Sequence, residues 1–266
     1  MAVNSISTEL GAAGAAARTM FRERFYVYGR SYALDWFVRP IFDLAIIALI
    51  YVGGNSELVS YAVVAVAFNM FLFSTIYFVG EILDRERVRG TLPSLFLTPA
   101  SRVSWMAGYT AAGLGETLVR VIVILLSGML FFDVRLDPNL PALLVVFPLY
   151  LLSLSGIGLI LSGIGLLIKR SNSLSNLVSP LFMLVGGAYL PVDSLPDWLR
   201  VIARLLPMGY AMDALTAITN DHASLGDVWS SIVPLSVFAV ISPIVGLLAF
   251  RWLDVMVRRR GEIDLY

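Results

Sequence analysis

The chain has 266 residues, of which 58% are hydrophobic and 14% are charged, and its formal net charge is zero. A soluble domain carries about 45–50% apolar and about 25% charged residues, so this composition is typical of a protein whose outer surface faces lipid. The zero net charge gives no reason to expect a nucleic-acid partner. The sequence has no cysteine, which excludes disulfides, thiolate metal sites and cysteine nucleophiles.

Six apolar segments predict an all-α integral membrane protein, because a membrane-spanning helix needs about 20 predominantly apolar residues. The first predicted span begins near Leu34 and continues to residue 53, where a Gly-Gly-Asn-Ser turn follows. The other five predicted spans cover residues 58–80, 103–132, 140–168, 174–190 and 229–253.

A helix over residues 18–33 is predicted before the first span. Phe21, Phe25, Tyr28 and Tyr32 recur at spacings of four, three and four, which places them on one helical face, and arginines flank them. This pattern is typical of an amphipathic helix that lies on the cytoplasmic leaflet. The alternative is a water-exposed helix that packs on another subunit.

The distribution of basic residues predicts the orientation in the membrane. The N-terminal region, the loops 81–103 and 169–173 and the C-terminal region together hold 15 of the 19 Lys and Arg residues. The loops of the opposite side hold three basic and eight acidic residues. Because cytoplasmic loops are enriched in Lys and Arg, both termini are predicted to be cytoplasmic, which requires an even number of spans.

The segment 81–102, between the second and third predicted spans, has more structure than a plain charged loop requires. It begins as a charged continuation of the second span, and Gly90 then breaks the helix. Thr91 can cap a short second helix, whose apolar face holds Leu92, Leu95 and Phe96. Thr98-Pro99 would end that helix. We therefore expect a short helix below the bilayer that presents an apolar face to a cytoplasmic partner.

This segment resembles the cytoplasmic coupling segment of the permeases of ABC-2-type ATP-binding-cassette exporters, in the drug- and lipid-exporter branch. A second stretch, Gly186-Gly187 to Pro207, is similar to the extracellular re-entrant helices of that family, which would occupy residues 191–228. Here Ser194 and Asp197 form a variant of a capping box. Trp198, Ile202, Leu205 and Leu206 are predicted to form the apolar face of one amphipathic helix.

The resemblance implies a single ABC-2-type transmembrane domain over residues 1–266 that acts as half of a transporter. A second permease, identical or homologous, would complete the pathway, and a separate ATPase would bind ATP and Mg²⁺, so this chain would hold no cofactor. Its only lysine, Lys169, does not stand in a phosphate-binding loop. The residues that would contact the ATPase are Glu81, Arg85, Glu86, Arg89, Gly90, Thr91, Leu92, Leu95, Phe96, Thr98 and Pro99.

The resemblance also implies that the first, second and fifth spans line the substrate route. The second and fifth spans each offer three candidate lining residues at helical spacing, although ordinary helix packing would give the same pattern. These residues are Asn69, Phe73 and Tyr77 on the second span and Asn176, Pro180 and Met183 on the fifth.

One pair of charges lies inside a predicted span. Glu116 and Arg120 are four residues apart in the third span, where charges usually pair or face the bundle interior. Two interpretations are open, a structural ion pair within one helix and a substrate or switch site, and the first is favoured because a pair at this spacing can satisfy itself.

Three other functions compete with export of a drug, lipid or glycolipid. The first is a polysaccharide or glycoconjugate exporter permease, and the second is a secondary transporter or channel that needs no ATPase. The third is an intramembrane enzyme, which would need a cluster of Ser, His and Asp or a metal-ligand set. The single histidine, His222, stands in a polar loop on the predicted outer side, and one His offers too few ligands for a metal site.

Overall fold

The computed structural model describes residues 2–22, 42–49, 51–53, 56–80, 82, 86–87, 90, 102–168, 171–187 and 190–259. These residues form helices and connecting loops, with no β-strand among them. Residues 42–49 and 51–52 are helical, and Val192–Ser194 forms one turn of 3-10 helix. The remaining helices are α1 (Ala2–Arg22), α2 (Ser56–Val79), α3 (Arg102–Phe131), α4 (Leu140–Ile168), α5 (Ser171–Val185), α6 (Asp197–Arg204), α7 (Pro207–Asn220) and α8 (Trp229–Arg259).

Helices α2, α3, α4 and α8 are each long and apolar enough to cross a bilayer. Their bounds agree closely with the second, third, fourth and sixth predicted spans. The chain is therefore a multi-pass, helical membrane protein. Of the first predicted span, residues 34–41 and residue 50 lie outside the described residues, and the described part is helical over residues 42–49 and 51–52.

The fifth predicted span is shorter than its apolar sequence indicates. The prediction placed it over residues 174–190, but α5 ends at Val185 in a turn formed by Gly186 and Gly187. Gly187 has a φ of +80°, a left-handed conformation that suits glycine and stops the helix. At 15 residues, α5 is about 22 Å long, less than the roughly 30 Å of a bilayer core.

Two short helices follow, α6 and α7, and their axes form an angle of 91°. The predicted capping box is wrong, since Pro196 occupies the N-cap of α6 and no side chain caps this helix. The reason is that Leu195 and Pro196 are extended, which moves Ser194 away from the start of α6. The predicted apolar face is also divided: Trp198, Ile202 and Leu205 are exposed, whereas Leu206 packs toward the core on another side.

The N-terminal region is helical from Ala2 to Arg22, so helix formation begins well before residue 18. Residues 23–33 of the predicted interfacial helix lie outside the described residues. Ala16 and Met20 are fully buried in a cluster with Met106 and Tyr109 near the start of α3. Helix α1 thus packs on the first turns of α3 in this structure.

Helix α2 forms the centre of the bundle. In its most apolar stretch 89% of the residues are buried, against 22–33% in α3, α4 and α8. Helices α3, α4, α5 and α7 all pack against it. Its sequence is apolar around the whole circumference, which is the pattern of a helix surrounded by other helices.

Helices α4 and α8 approach each other closely at two glycines, Gly156 and Gly246. A Cβ atom at Gly156 would collide with the backbone of Ser242, and one at Gly246 would collide with the backbone of Gly156. The Ser242 hydroxyl donates a hydrogen bond of 2.6 Å to the Ser153 carbonyl across the same contact. Small residues of this kind allow close packing of membrane helices, which gain little from burial against lipid.

We expect Gly156→Ala to lower the free energy of unfolding by about 1–3 kcal/mol, because the two helix backbones must separate to admit the methyl group. Gly115→Ala is the matched control, since no heavy atom lies within 4 Å of its Cβ position and alanine favours helix. Thermal unfolding in detergent measures both. Equal destabilisation by the two substitutions would contradict the assigned α4–α8 contact.

Candidate functional site

Helices α2 and α5 pack along a contact that we call the α2–α5 seam. Four of the six candidate lining residues lie along one side of this seam. The Tyr77 hydroxyl donates a hydrogen bond of 2.7 Å to Oδ1 of Asn176. The Phe73 ring stacks on the Tyr77 ring with 6.4 Å between centroids. Pro180 lies one turn beyond Asn176 on α5, and both residues are exposed. The seam therefore presents aromatic and apolar groups around one polar contact.

The other two candidate lining residues are buried inside the chain. Asn69 is fully buried, and its Nδ2 donates to the Ala65 carbonyl at 3.0 Å and to Met212 Sδ of α7 at 3.4 Å. Met183 is 9% exposed on α5. Asn69 thus belongs to the α2–α7 packing and not to the surface that Tyr77 and Asn176 share.

A second tyrosine connects α2 with the other end of α5. The Tyr61 hydroxyl donates a hydrogen bond of 2.7 Å to the Gly187 carbonyl and lies 3.5 Å from the Leu190 carbonyl. A Cβ atom at Gly187 would lie 3.1 Å from this hydroxyl, so the contact also favours glycine there. Sequence reasoning missed Tyr61, because one tyrosine in an apolar helix carries no signal of its partner.

Arg204 lies at the bend between α6 and α7 and forms contacts with the segments on both sides of it. Its guanidinium forms ion pairs with Asp193 at 2.9 Å and with Asp213 of α7, and it lies over the Tyr210 ring at 5.3 Å. The side chains of Arg204 and Asp213 are 29% and 25% exposed, so both are partly shielded from water. The contacts therefore connect the 3-10 turn, α6 and α7 through one cation.

Arg200, one turn earlier on α6, stabilises the turn that precedes this helix. It donates to the carbonyls of Asp193 and Leu195 at 2.7 and 3.1 Å. Its ion pair with Asp197 is 3.3 Å long, and the Asp197 side chain is 95% exposed. Water screens such a pair, so its contribution to stability is small.

The Glu116–Arg120 pair forms within α3, at the spacing that predicts it. Arg120 donates to Oε1 of Glu116 at 2.8 Å, and the side chains of Arg120 and Glu116 are 11% and 6% exposed. The next residue, Thr117, connects α3 with α2, because its hydroxyl donates a hydrogen bond of 2.7 Å to the Ser74 hydroxyl. The pair thus lies close to the α2–α3 contact.

Most of the coupling segment lies outside the described residues. Among those described, Gly90 has a φ of +73° and donates its N–H to the Arg87 carbonyl, which is the turn that a break at Gly90 requires. Glu86 is buried, and Ile82 packs in the same cluster as Met20 and Met106. The remaining predicted contacts, Glu81, Arg85, Arg89, Thr91, Leu92, Leu95, Phe96, Thr98 and Pro99, stay sequence predictions.

His222 belongs to the loop packing on the predicted outer side. Its Nδ1 lies 3.1 Å from Oδ1 of Asp137, so the ring connects the α7–α8 loop with the α3–α4 loop. Nearby, the Ser224 hydroxyl and N–H both donate to Asp227, which lowers the pKa of that carboxyl. Within the described ranges, no group of three or more His, Asp or Glu side chains could hold a metal ion.

The chain belongs to the ABC-2 type transporter family, whose match extends over residues 16–219. This range begins within α1 and ends at the last turn of α7, so it contains the α2–α5 seam, the coupling segment and the bend at Arg204. Members of this family are transmembrane subunits and not ATPases themselves.

Two curated relatives have names that refer to resistance and multidrug permeases. The chain is 30% identical over 172 residues to the linearmycin resistance permease protein LnrN of Bacillus subtilis, covering 65% of this chain and 44% of that protein. It is 25% identical over 167 residues to the probable multidrug ABC transporter permease YbhR of Escherichia coli K12, covering 63% and 45%. The matched region is thus less than half the length of these relatives.

A double-mutant cycle between Arg204→Gln and Asp213→Asn should give a coupling energy on the order of 1–2 kcal/mol, because the pair is partly shielded from water. The same cycle between Arg200→Gln and Asp197→Asn is the control, and its coupling should be below about 0.5 kcal/mol. Chemical or thermal unfolding in detergent supplies the four stabilities of each cycle. Equal coupling energies in the two cycles would show that Arg204 does not stabilise the α6–α7 bend.

Proposed function

We propose that this chain is the transmembrane permease subunit of an ATP-driven exporter. Its substrate would be a hydrophobic or amphipathic molecule, such as a drug, lipid or glycolipid, moved out of the cytoplasm or the inner leaflet. The observation that carries this proposal is the ABC-2 family match over residues 16–219. The names of the two relatives, a linearmycin resistance permease and a probable multidrug permease, support the substrate class.

The proposed arrangement has six spans in the cell membrane, with both termini in the cytoplasm. Four long apolar helices support it, together with the concentration of 15 of the 19 basic residues on one side. The first span would include the helical residues 42–49, and α5 would be a short fifth span. Helices α6 and α7 would form the re-entrant region on the outer side.

The energy would come from a separate ATPase that binds ATP and Mg²⁺. Its contact would be the segment 81–102, through the residues predicted from the sequence. Two observations support the view that the beginning of this segment packs on the helix bundle: Glu86 is buried, and Ile82 packs with Phe78 of α2 and Met106 of α3. A displacement of the segment by the ATPase would therefore reach the ends of two long helices directly.

The substrate surface would be the side of the α2–α5 seam that holds Phe73, Tyr77, Asn176 and Pro180. Its aromatic and apolar groups suit a hydrophobic body, and the Tyr77 and Asn176 side chains could form hydrogen bonds with a polar head. Exposed leucines continue the apolar surface along α5, and a second permease, identical or homologous, would face this surface and complete the route. These leucines are Leu177, Leu181 and Leu184.

Transport by the reconstituted complex tests the proposal. The chain is co-purified with its ATPase and reconstituted into liposomes, where an amphipathic fluorescent drug or lipid probe should be moved only with ATP and should stimulate ATP hydrolysis. Transport that continues without the ATPase would contradict the proposal and favour a secondary transporter.

The double substitution Leu95→Asp and Phe96→Asp should uncouple hydrolysis from transport while membrane insertion is retained, because charges replace the predicted apolar contact with the ATPase. Ser94→Asp is the control, since it adds a charge to the same segment outside that apolar face. Transport and hydrolysis are measured together in the same liposomes. Normal coupling in the double variant would exclude this segment as the site of force transfer.

A further inference from the structure

Two tyrosine hydroxyls connect α2 with α5 at opposite ends of their contact. Tyr61 and Tyr77 are 16 residues apart on α2, about 24 Å along the helix axis. Tyr77 bonds to the Asn176 side chain near the start of α5, and Tyr61 bonds to the Gly187 carbonyl just beyond its end. Both hydrogen bonds are 2.7 Å long. The seam thus has a specific polar contact at each end.

Helix α5 has a weak point at each of these contacts. Pro180 has no N–H and cannot donate the backbone hydrogen bond of its position in the helix, and a helix bends most easily at such a residue. At the other end, Gly186 and Gly187 end the helix in a turn. A short helix between two such points can tilt without breaking its own regular hydrogen bonds.

We propose that the two hydroxyl contacts are separate clasps on the α2–α5 seam, and that each keeps one end of the seam closed. The Tyr77–Asn176 clasp would close the cytoplasmic end, and the Tyr61–Gly187 clasp would close the outer end. Opening one clasp while the other holds would let α5 tilt about Pro180. This proposal rests on the exporter function proposed above, since it assigns the two ends of the seam to the two sides of the transport cycle.

Hydrogen bonds suit this role better than apolar contacts do. A hydroxyl bond in an apolar setting is directional, so a small tilt of α5 breaks it at one end, whereas apolar side chains slide past one another with little change in contact. The hydroxyl released from α5 could then bond to a polar group of the substrate or to water, which limits the cost of opening. The two ends can therefore respond separately.

The test uses single reporter cysteines, since the natural chain has none. Ser175→Cys reports on the cytoplasmic end of α5 and Val185→Cys on the outer end, because both positions are buried, Val185 in the cluster that it forms with Val192, Leu195 and Ala203 beside the Gly187 contact. The full chain, in membrane vesicles opened to both faces, is treated with a membrane-impermeant maleimide without nucleotide. Tyr77→Phe should raise the labelling rate of the reporter at position 175 roughly three- to tenfold and leave the reporter at position 185 unchanged, and Tyr61→Phe should do the reverse.

Tyr150→Phe is the matched control. It removes a hydroxyl that lies 3.4 Å from the Phe68 carbonyl of α2, but Tyr150 belongs to α4, so labelling at both reporters should stay at the parental rate. If Tyr77→Phe does not insert stably, Asn176→Leu removes the same hydrogen bond from the α5 side. Unchanged labelling, or an equal increase at both ends in each variant, would overturn the two-clasp proposal.

The labelling assay needs no ATP, so its result is separate from that of the transport assay. End-selective labelling in a chain that shows no ATP-driven transport would support the clasps and reject the exporter function. ATP-driven transport with labelling that ignores both tyrosine substitutions would support the exporter and reject the clasps.

Discussion

The burial of α2 on all sides is the constraint on which the rest of the structure depends. A membrane helix without a lipid-facing side needs neighbours around its whole circumference, and α3, α4, α5 and α7 supply them. Glycines on these neighbours allow the close approach: a Cβ atom at Gly128 of α3 would collide with Val63, and one at Gly158 of α4 would crowd Val79. The outer helices can then be apolar toward lipid because α2 fills the centre.

This arrangement also accounts for where the polar groups of α2 lie. The side-chain nitrogen of Asn69 donates hydrogen bonds within the bundle, to its own helix and to α7, whereas Tyr61 and Tyr77 reach toward α5 at its two ends. Helices α5 and α7 are short helices that pack on α2, and of these two α5 carries a proline in its interior. In the proposed transport cycle, α5 is therefore the helix that we expect to move against α2.

The sequence predicted the long spans well, because hydropathy over about 20 residues is a local property. It predicted α5 too long, since Gly186 and Gly187 stand within an apolar run and only the φ of Gly187 shows that the helix stops there. It missed α7 as a core helix, although Met208, Met212 and Leu215 follow a helical spacing, because the surrounding loop is polar. The partners of Tyr61 and Arg204 depend on contacts between distant segments, which no local pattern encodes.

The coupling segment and the seam differ in what local sequence reveals. The turn at Gly90 was predictable, because a glycine followed by a capping threonine is a local signal. The sequence placed Tyr77 and Asn176 each on one face of a helix. It did not show how the two helices are aligned with each other, so the contact between the two residues could not be predicted. The alignment comes from packing around α2, and it also removes Asn69 from the shared surface.

Lipid accessibility along α2 tests the central claim most directly. Single cysteines at successive positions from 62 to 72 are spin-labelled in the natural cysteine-free background, and oxygen collision rates are measured in lipid vesicles. The account predicts uniformly low collision rates on α2. On α8, positions 230–241 have exposed and buried residues that alternate at helical spacing, so their collision rates should oscillate with a period near 3.6 residues. An oscillation of the same amplitude on α2 would show that one of its faces meets lipid, and would contradict a central α2.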